Sequence, residues 1–253
     1  MRLGLLVFIG VVIFGGLRLP AEHHLFRTRA ESQLQSIPLD LNLREQVGQL
    51  GFVAALSGFR SVVADFLFIQ AHVAWERTEW SRVLLLFRQV TALQPRGILF
   101  WDMAAWHMAW NAGVAALNNP AEPRQALRVK AQREYFDLGR DFLERGIQNN
   151  PESHHLYEAL ARLYRDKYKD HLRAAEYFDK TAETPGAPSY VKRFAAYELS
   201  YCEGREQEAY ERLIEFYAAG DKERVPTLIN RLKYLEDKLN IPLAQRTAKE
   251  VER

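Results

Sequence analysis

An all-α fold is predicted: a right-handed stack of about four helical hairpins preceded by one N-terminal transmembrane anchor. Three observations carry this expectation. From residue 44 onward apolar residues recur every three or four positions, and no stretch alternates with a period of two for long. Proline-marked breaks recur, with Pro151 and Pro185 lying 34 residues apart. Residues 3–17 (LGLLVFIGVVIFGGL) carry no charge and follow a single Arg2.

The N-terminal run comes first. Fifteen residues at ~1.5 Å each reach roughly 22 Å of a hydrocarbon core about 30 Å thick. Leu19 extends the run, and Arg2 and Arg18 can snorkel to the interfaces. No small-x-small cleavage site follows in LRLPAEHHL, so residues 1–19 read as an uncleaved signal anchor with the membrane entered through residues 3–19. Two rules conflict on orientation. Arg18, Arg27 and Arg29 outnumber Arg2, which argues against export of the body, whereas a very short N-terminal tail is the retained side of a signal anchor. The reading adopted is a single-pass protein of the bacterial cytoplasmic membrane with its body in the periplasm.

Residues 20–43 are polar without firm periodicity and form a stalk or lead-in helix. The apolar stretch 47–75 is broken by Arg60, Asp65 and His72 and reads as core helices, not a second span. Residues 44–220 form the helical body. Turn residues punctuate it at Thr78 to Glu79, Gln94 to Gly97, Asn118 to Pro123, Asn149 to Pro151, Pro185 to Pro188, Glu203 to Arg205 and Gly220 to Asp221. Residues 221–253 supply a polar capping helix and tail.

Composition narrows the function classes. With 34 basic and 32 acidic residues the formal charge is +2, so nothing points to nucleic acid. A single cysteine, Cys202, leaves no pair for a disulfide, a CxxC redox centre or a cysteine-ligated zinc. Phosphate-loop, GxSxG, CxxCH and dinucleotide fingerprints are lacking, and no cofactor is implied.

The spacing of small and large residues can be followed unit by unit. Leu67, Ala71, Ala74, Val83, Phe87 and Val90 occupy the helix seams before Pro95, and Tyr157, Ala161, Tyr164, Ala174, Phe178 and Thr181 those before Pro185. Between them, Pro95 to Pro151 spans 56 residues, with Gly139, Leu143 and Gly146 in register, and the surplus over the period is assigned to an insertion at about 112–130. Ala195, Ala209 and Leu213 mark a fourth unit. This pattern resembles the tetratricopeptide-repeat superfamily over roughly residues 58–220, and HHLYEALARLYRDKYKDHLRAAEYFDKTAE matches it best. The stretches GFRSVVADFLFIQA and LQPRGILFWDMAAWHMAWN further resemble bacterial membrane-anchored repeat proteins, a likeness that implies architecture and no catalytic residue.

Five tryptophans, Trp75, Trp80, Trp101, Trp106 and Trp110, crowd into 36 residues. They serve either as inter-repeat core or as an aromatic docking surface. Trp106 and Trp110 share a helix face and are expected in the core, while Trp101, about 140° around from Trp106, is the expected partner contact together with Trp75 and Trp80. Arg60 with Asp65, and Arg96 with Asp102, His107 and Asn111, place polar groups in apolar helices, where they form either a satisfied network or a groove that grips a partner. His154, His155 and Glu158 read as capping or solvated residues, because adjacent histidines diverge by about 100° on a helix and no third ligand is spaced for zinc.

The function expected is therefore a membrane-anchored scaffold or assembly factor for a bacterial envelope complex, with protein partners, no nucleic acid and no enzymatic activity. Two alternatives are a stoichiometric structural subunit of a membrane machine and, more remotely, a helical-repeat hydrolase acting on envelope polymers.

Overall fold

The structure, a computed structural model, describes residues 58–247. The expected anchor (1–19), the stalk (20–43), the start of the body at 44 and the tail from 248 lie outside the described residues. Every regular element among the described residues is helical, and none of these helices is long and apolar enough to cross a membrane. The chain divides into two compact units, with the boundary between Phe100 and Trp101.

In the first unit, α1 (Arg60–Glu76) and α2 (Trp80–Leu93) fold back on each other. Ala64, Ala71 and Ala74 are fully buried on α1, and Val83, Phe87 and Val90 meet them from α2. Small residues on one helix let the large residues of the other come close, which is why an apolar seam this narrow suffices. The turn is tight: Thr78 adopts a left-handed conformation (φ 56°), and the Glu79 N–H bonds the Ala74 carbonyl at 2.9 Å. The Phe68 ring meets Phe87 edge-on at 5.9 Å and Phe100 at 5.3 Å, closing the unit.

The second unit begins within α3 (Ile98–Trp106), which continues through a π-helical turn (His107–Ala112) into the short α4 (Gly113–Leu117). After the 118–124 connection comes α5 (Gln125–Asn149), the longest element. The surplus assigned to an insertion at 112–130 divides between longer helices and a short exposed connection at 118–124. The alanines and leucine of GVAAL and most of QALRVK favour helix and lengthen the two helices, leaving only residues 118–124 outside helices, where Pro120 and Pro123 stand.

Next come α6 (His154–Leu163), capped by the Ser153 hydroxyl, and a second π-helical turn (Tyr164–Tyr168). They lead to α7 (His171–Glu183), whose cap Asp170 accepts the Arg173 N–H at 3.0 Å. The chain then runs through α8 (Tyr190–Leu199), α9 (Glu206–Ala218) and α10 (Pro226–Lys238). The capping helix thus starts five residues later than Asp221, with Pro226 at its first turn, where a missing N–H does no harm.

From α5 to α10 each helix packs chiefly on its neighbours in sequence. One core joins Ala161 of α6, Phe178 of α7 and Val191 and Ala195 of α8. The next joins Ala175 of α7, Ala196 and Leu199 of α8, Ala209 and Leu213 of α9, and Leu228, Leu232 and Leu235 of α10. α7 and α8 therefore each bury one edge in one layer and another edge in the next.

Candidate functional site

Helical spacing places one polar and aromatic face on each of three helices of the second unit. On α3 and its π turn these are Asp102, Trp106 and Trp110; on α6, His155, Glu158 and Arg162; on α8, Tyr190, Arg193, Tyr197 and, one residue past its cap, Tyr201. The intervals of three and four keep each set on one side of its helix. Two hollows open along these faces. One, of about 410 Å³, lies among Asp102, Trp106, Trp110, Glu158, Arg162 and Tyr190. The other, of about 450 Å³, lies among Arg193, Phe194, Tyr197, Glu198, Tyr201 and Arg231. Arg165 borders both and holds Asp166 through two bonds of 2.7 and 3.2 Å.

In the first hollow the buried Glu158 carboxylate accepts from the Arg162 guanidinium and from the Tyr190 hydroxyl at 3.0 and 3.1 Å. Burial, and then the Glu158 carboxylate, push the Tyr190 hydroxyl above its ordinary pKa. The positive charge of Arg162 stays at the rim, its side chain nearly half exposed. At the other end the Lys167 ammonium sits 5.0 Å from the centre of the Trp110 ring, and desolvation there lowers its pKa. Both π turns fall in these lining helices, one carrying Trp110 and the other Arg165 and Asp166. A π turn widens the helix by one residue and so re-aims the side chains that follow.

His155 Nε2 lies 3.0 Å from the Asp102 carboxylate, and that hydrogen bond holds the imidazole pKa above its ordinary 6.5. A raised folded-state pKa means that the pair stabilises the fold below about pH 6.5 and that this contribution disappears as pH rises through the folded-state value. The His155 side chain is more than half exposed, so the pair's worth is at the surface-pair level. In an NMR titration of the His155 ring, Asp102→Asn is expected to bring the midpoint back towards 6.5; an unchanged midpoint would show that Asp102 does not set it.

The structure redistributes the residues singled out from sequence. Trp101, expected at a partner surface, is only 1% exposed, packed against Gly146 and 6.3 Å from the Phe142 ring, with the Arg145 guanidinium over it at 5.6 Å. Trp106, expected in the core, is 41% exposed, and Trp110 is half-buried. The faces are reversed for a steric reason: a Cβ at Gly139 would stand 2.8 Å from Ala109 Cβ and 3.0 Å from the Ala105 carbonyl oxygen. At that closeness the buried face of α3 has room for Ala104, Ala105 and Ala109 but not for a second indole.

The expected polar network is only partly present. His107 is buried and its Nδ1 meets the Asn111 amide at 3.2 Å, away from the hollows, and Asp102 takes His155 as its partner. Arg96 and Asp65 are exposed, so neither is a buried charge that requires a partner. Trp75 and Trp80 flank the α1–α2 turn in the first unit, both half-buried. Sequence reasoning missed Glu158 as a buried anchor, and with it Arg162, Arg165, Tyr190, Arg193, Tyr197, Tyr201 and Arg231. The signal that reveals them is the recurrence of an aromatic or arginine at three- and four-residue intervals on the first helix of each pair. Among the described residues no cluster of three histidine, cysteine, aspartate or glutamate side chains could hold a metal ion. Comparison of the chain with family models, with curated proteins and with solved structures finds no match.

Proposed function

We propose that this chain is a membrane-anchored scaffold of the tetratricopeptide-repeat kind that holds a segment of a protein partner along the α3–α6–α8 face, as part of a bacterial envelope complex. The observation that carries the reading is the lining itself. Three first helices turn the same kind of face, aromatic and charged, to one side, and the ionic groups of the first hollow are fixed by Glu158, Arg162 and Tyr190. Aromatic and arginine side chains held rigidly at a concave surface are what protein recognition uses, because little side-chain entropy remains to be lost on binding. The layered cores, each shared by successive helices, support the repeat reading. In this reading residues 3–19 tether the scaffold, the body faces the periplasm, and the protein is a binder, not an enzyme.

The test is in-cell photocrosslinking. A photoreactive phenylalanine at Trp106, Arg162 or Tyr201 is expected to capture one discrete protein, and the same group at Glu176 or Lys180, exposed on α7, is expected to capture none. Equal capture from both sets would sink the proposal. A second reading, a stoichiometric subunit of a membrane machine, is favoured by the exposed stripe Val62, Phe66 and Ile69 on α1, each 58 to 60% accessible. A constant one-to-one ratio to a partner through successive purification steps would select that reading over the scaffold.

A further inference from the structure

We propose that the hollow between α8 and α10 binds a carboxylate side chain, carried by an acidic segment with apolar neighbours in the protein held along the groove. The inference rests on the scaffold reading and names the chemistry of one end of it. Four buried polar groups of residues lining this hollow have no acceptor for their protons: the Tyr197 hydroxyl, whose oxygen the Arg193 guanidinium approaches, Arg193 Nε, and Arg231 Nε and Nη2. Tyr197 is itself only 8% exposed. Buried donors left without acceptors are uncommon in folded proteins and costly, and four on residues that line one hollow mark a place where an acceptor belongs.

The charges decide which acceptor. Arg193 is already held by Glu223 through its other guanidinium nitrogen, and Arg165 by Asp166. Glu198 receives His171 at 2.7 Å. Arg231 has no carboxylate partner among the described residues; its guanidinium lies against the Tyr201 ring at 3.5 Å and near that of Tyr234 at 4.9 Å. The Nε–Nη2 edge lies buried beneath that cover, and once the Tyr201 ring moves it is a two-pronged donor, the geometry that matches the two oxygens of a carboxylate. The Glu198 carboxylate already lines the hollow and disfavours a doubly charged phosphate, whereas a single negative charge uses the one guanidinium that lacks a counter-charge. Phe194 and Val225 complete the lining, which is why the acidic residue should have apolar neighbours. The Tyr201 ring, 56% exposed, covers the Arg231 guanidinium and must swing aside to admit the ligand.

The test uses the full chain in detergent, with the arginine Nε–H signals followed by two-dimensional NMR. The probes are the acetylated, amidated peptide Leu-Glu-Leu-Glu-Leu, its glutamine counterpart, and inorganic phosphate. Saturable shifts of the Arg193 and Arg231 signals with the glutamate peptide alone are expected. Tyr197→Phe should weaken that peptide by about 3- to 10-fold, the value of one hydrogen bond, while raising the melting temperature by about 2–4 °C because an unsatisfied hydroxyl is gone. Arg231→Gln should abolish the shift at Arg193; if it does not fold, Tyr197→Phe still decides. Equal shifts with the glutamine peptide, no shift with either peptide, or saturation by phosphate alone would overturn the inference. A partner crosslinked from Trp106 with no peptide shift overturns this inference and leaves the scaffold standing. A peptide shift with no crosslinked partner supports the carboxylate site and removes the scaffold.

Discussion

Replacing Trp101 by alanine is expected to lower stability by about 3–5 kcal/mol, the cost of emptying a buried indole site. The residue is 1% exposed, its Cβ and Cγ stand 2.9 Å from where a Cβ on Gly146 would be, and it is boxed in by Phe142 and Arg145. The surrounding helices are held by other layers and relax only in part, so a cavity remains. Against a typical stability of about 5–15 kcal/mol such a loss is severe, and at ~2–4 °C per kcal/mol the melting temperature should fall by roughly 6–20 °C. Trp106→Ala, which removes a ring already 41% exposed, should cost about 1–2 kcal/mol from the area it still buries. Thermal melts of the two single variants beside the parent settle the matter. Similar melting of both, or a greater loss at Trp106, would show that the indole faces are not as described.

The same pair of tryptophans shows where sequence reading stops. Helix ends were legible because they depend on local chemistry: Pro95, Pro151, Pro185, Gly204 and Gly220 all stand in the breaks that the structure shows, and Gly204 and Gly220 adopt positive φ (79° and 121°) that few other residues accept. The turn within the 157–181 unit was expected from the repeat, but its place at Lys169 and Asp170 was not legible, because a lysine at φ 56° announces nothing, although Asp170 as an N-cap was a readable clue. Seam positions were legible too. Ala71, Ala74, Phe87, Ala161, Phe178, Ala195 and Leu213 are all buried, since a repeating interval of small and large residues is itself a packing statement.

Faces within α3 were not legible, for two physical reasons. Two indoles on one face were taken as the mark of the core, whereas close helix approach selects small residues, and only the three-dimensional pairing of Gly139 with Ala105 and Ala109 reveals that choice. The π turn then adds a residue to the helical count, so an angle computed at 100° per residue drifts past His107. The groove partners were hidden for a different reason. Glu158 to Tyr190 is a contact across 32 residues, and Asp102 to His155 one across 53, pairings that topology creates and local spacing does not.

Gly139→Val is expected to cost about 3 kcal/mol or more, and Gly139→Ala to destabilise even though alanine is favoured over glycine by about 1 kcal/mol within a helix. Two of the three atoms that a new Cβ would meet are backbone: the Ala105 oxygen at 3.0 Å and the Ala109 nitrogen at 3.3 Å, beside the Ala109 Cβ at 2.8 Å. A side chain can rotate away from such a contact, but a backbone carbonyl moves only if its helix moves. Gly113 makes the contrast, since there the nearest atoms, at 2.8 and 3.2 Å, belong to the Phe136 ring, which can tilt. Gly113→Ala should therefore be much milder. Separation of α3 from α5 would also carry Asp102 and Trp106 away from Leu143, which lines the same hollow from α5, so partner capture from Trp106 should weaken along with stability. Adding Ala109→Gly to Gly139→Ala removes the 2.8 Å contact and should recover about 1 kcal/mol beyond additivity, leaving the carbonyl clash in place. Urea denaturation of the two single variants and the double variant measures that coupling. Strict additivity would mean that the helices already have slack at this crossing and that something other than close approach keeps Trp106 out of the core.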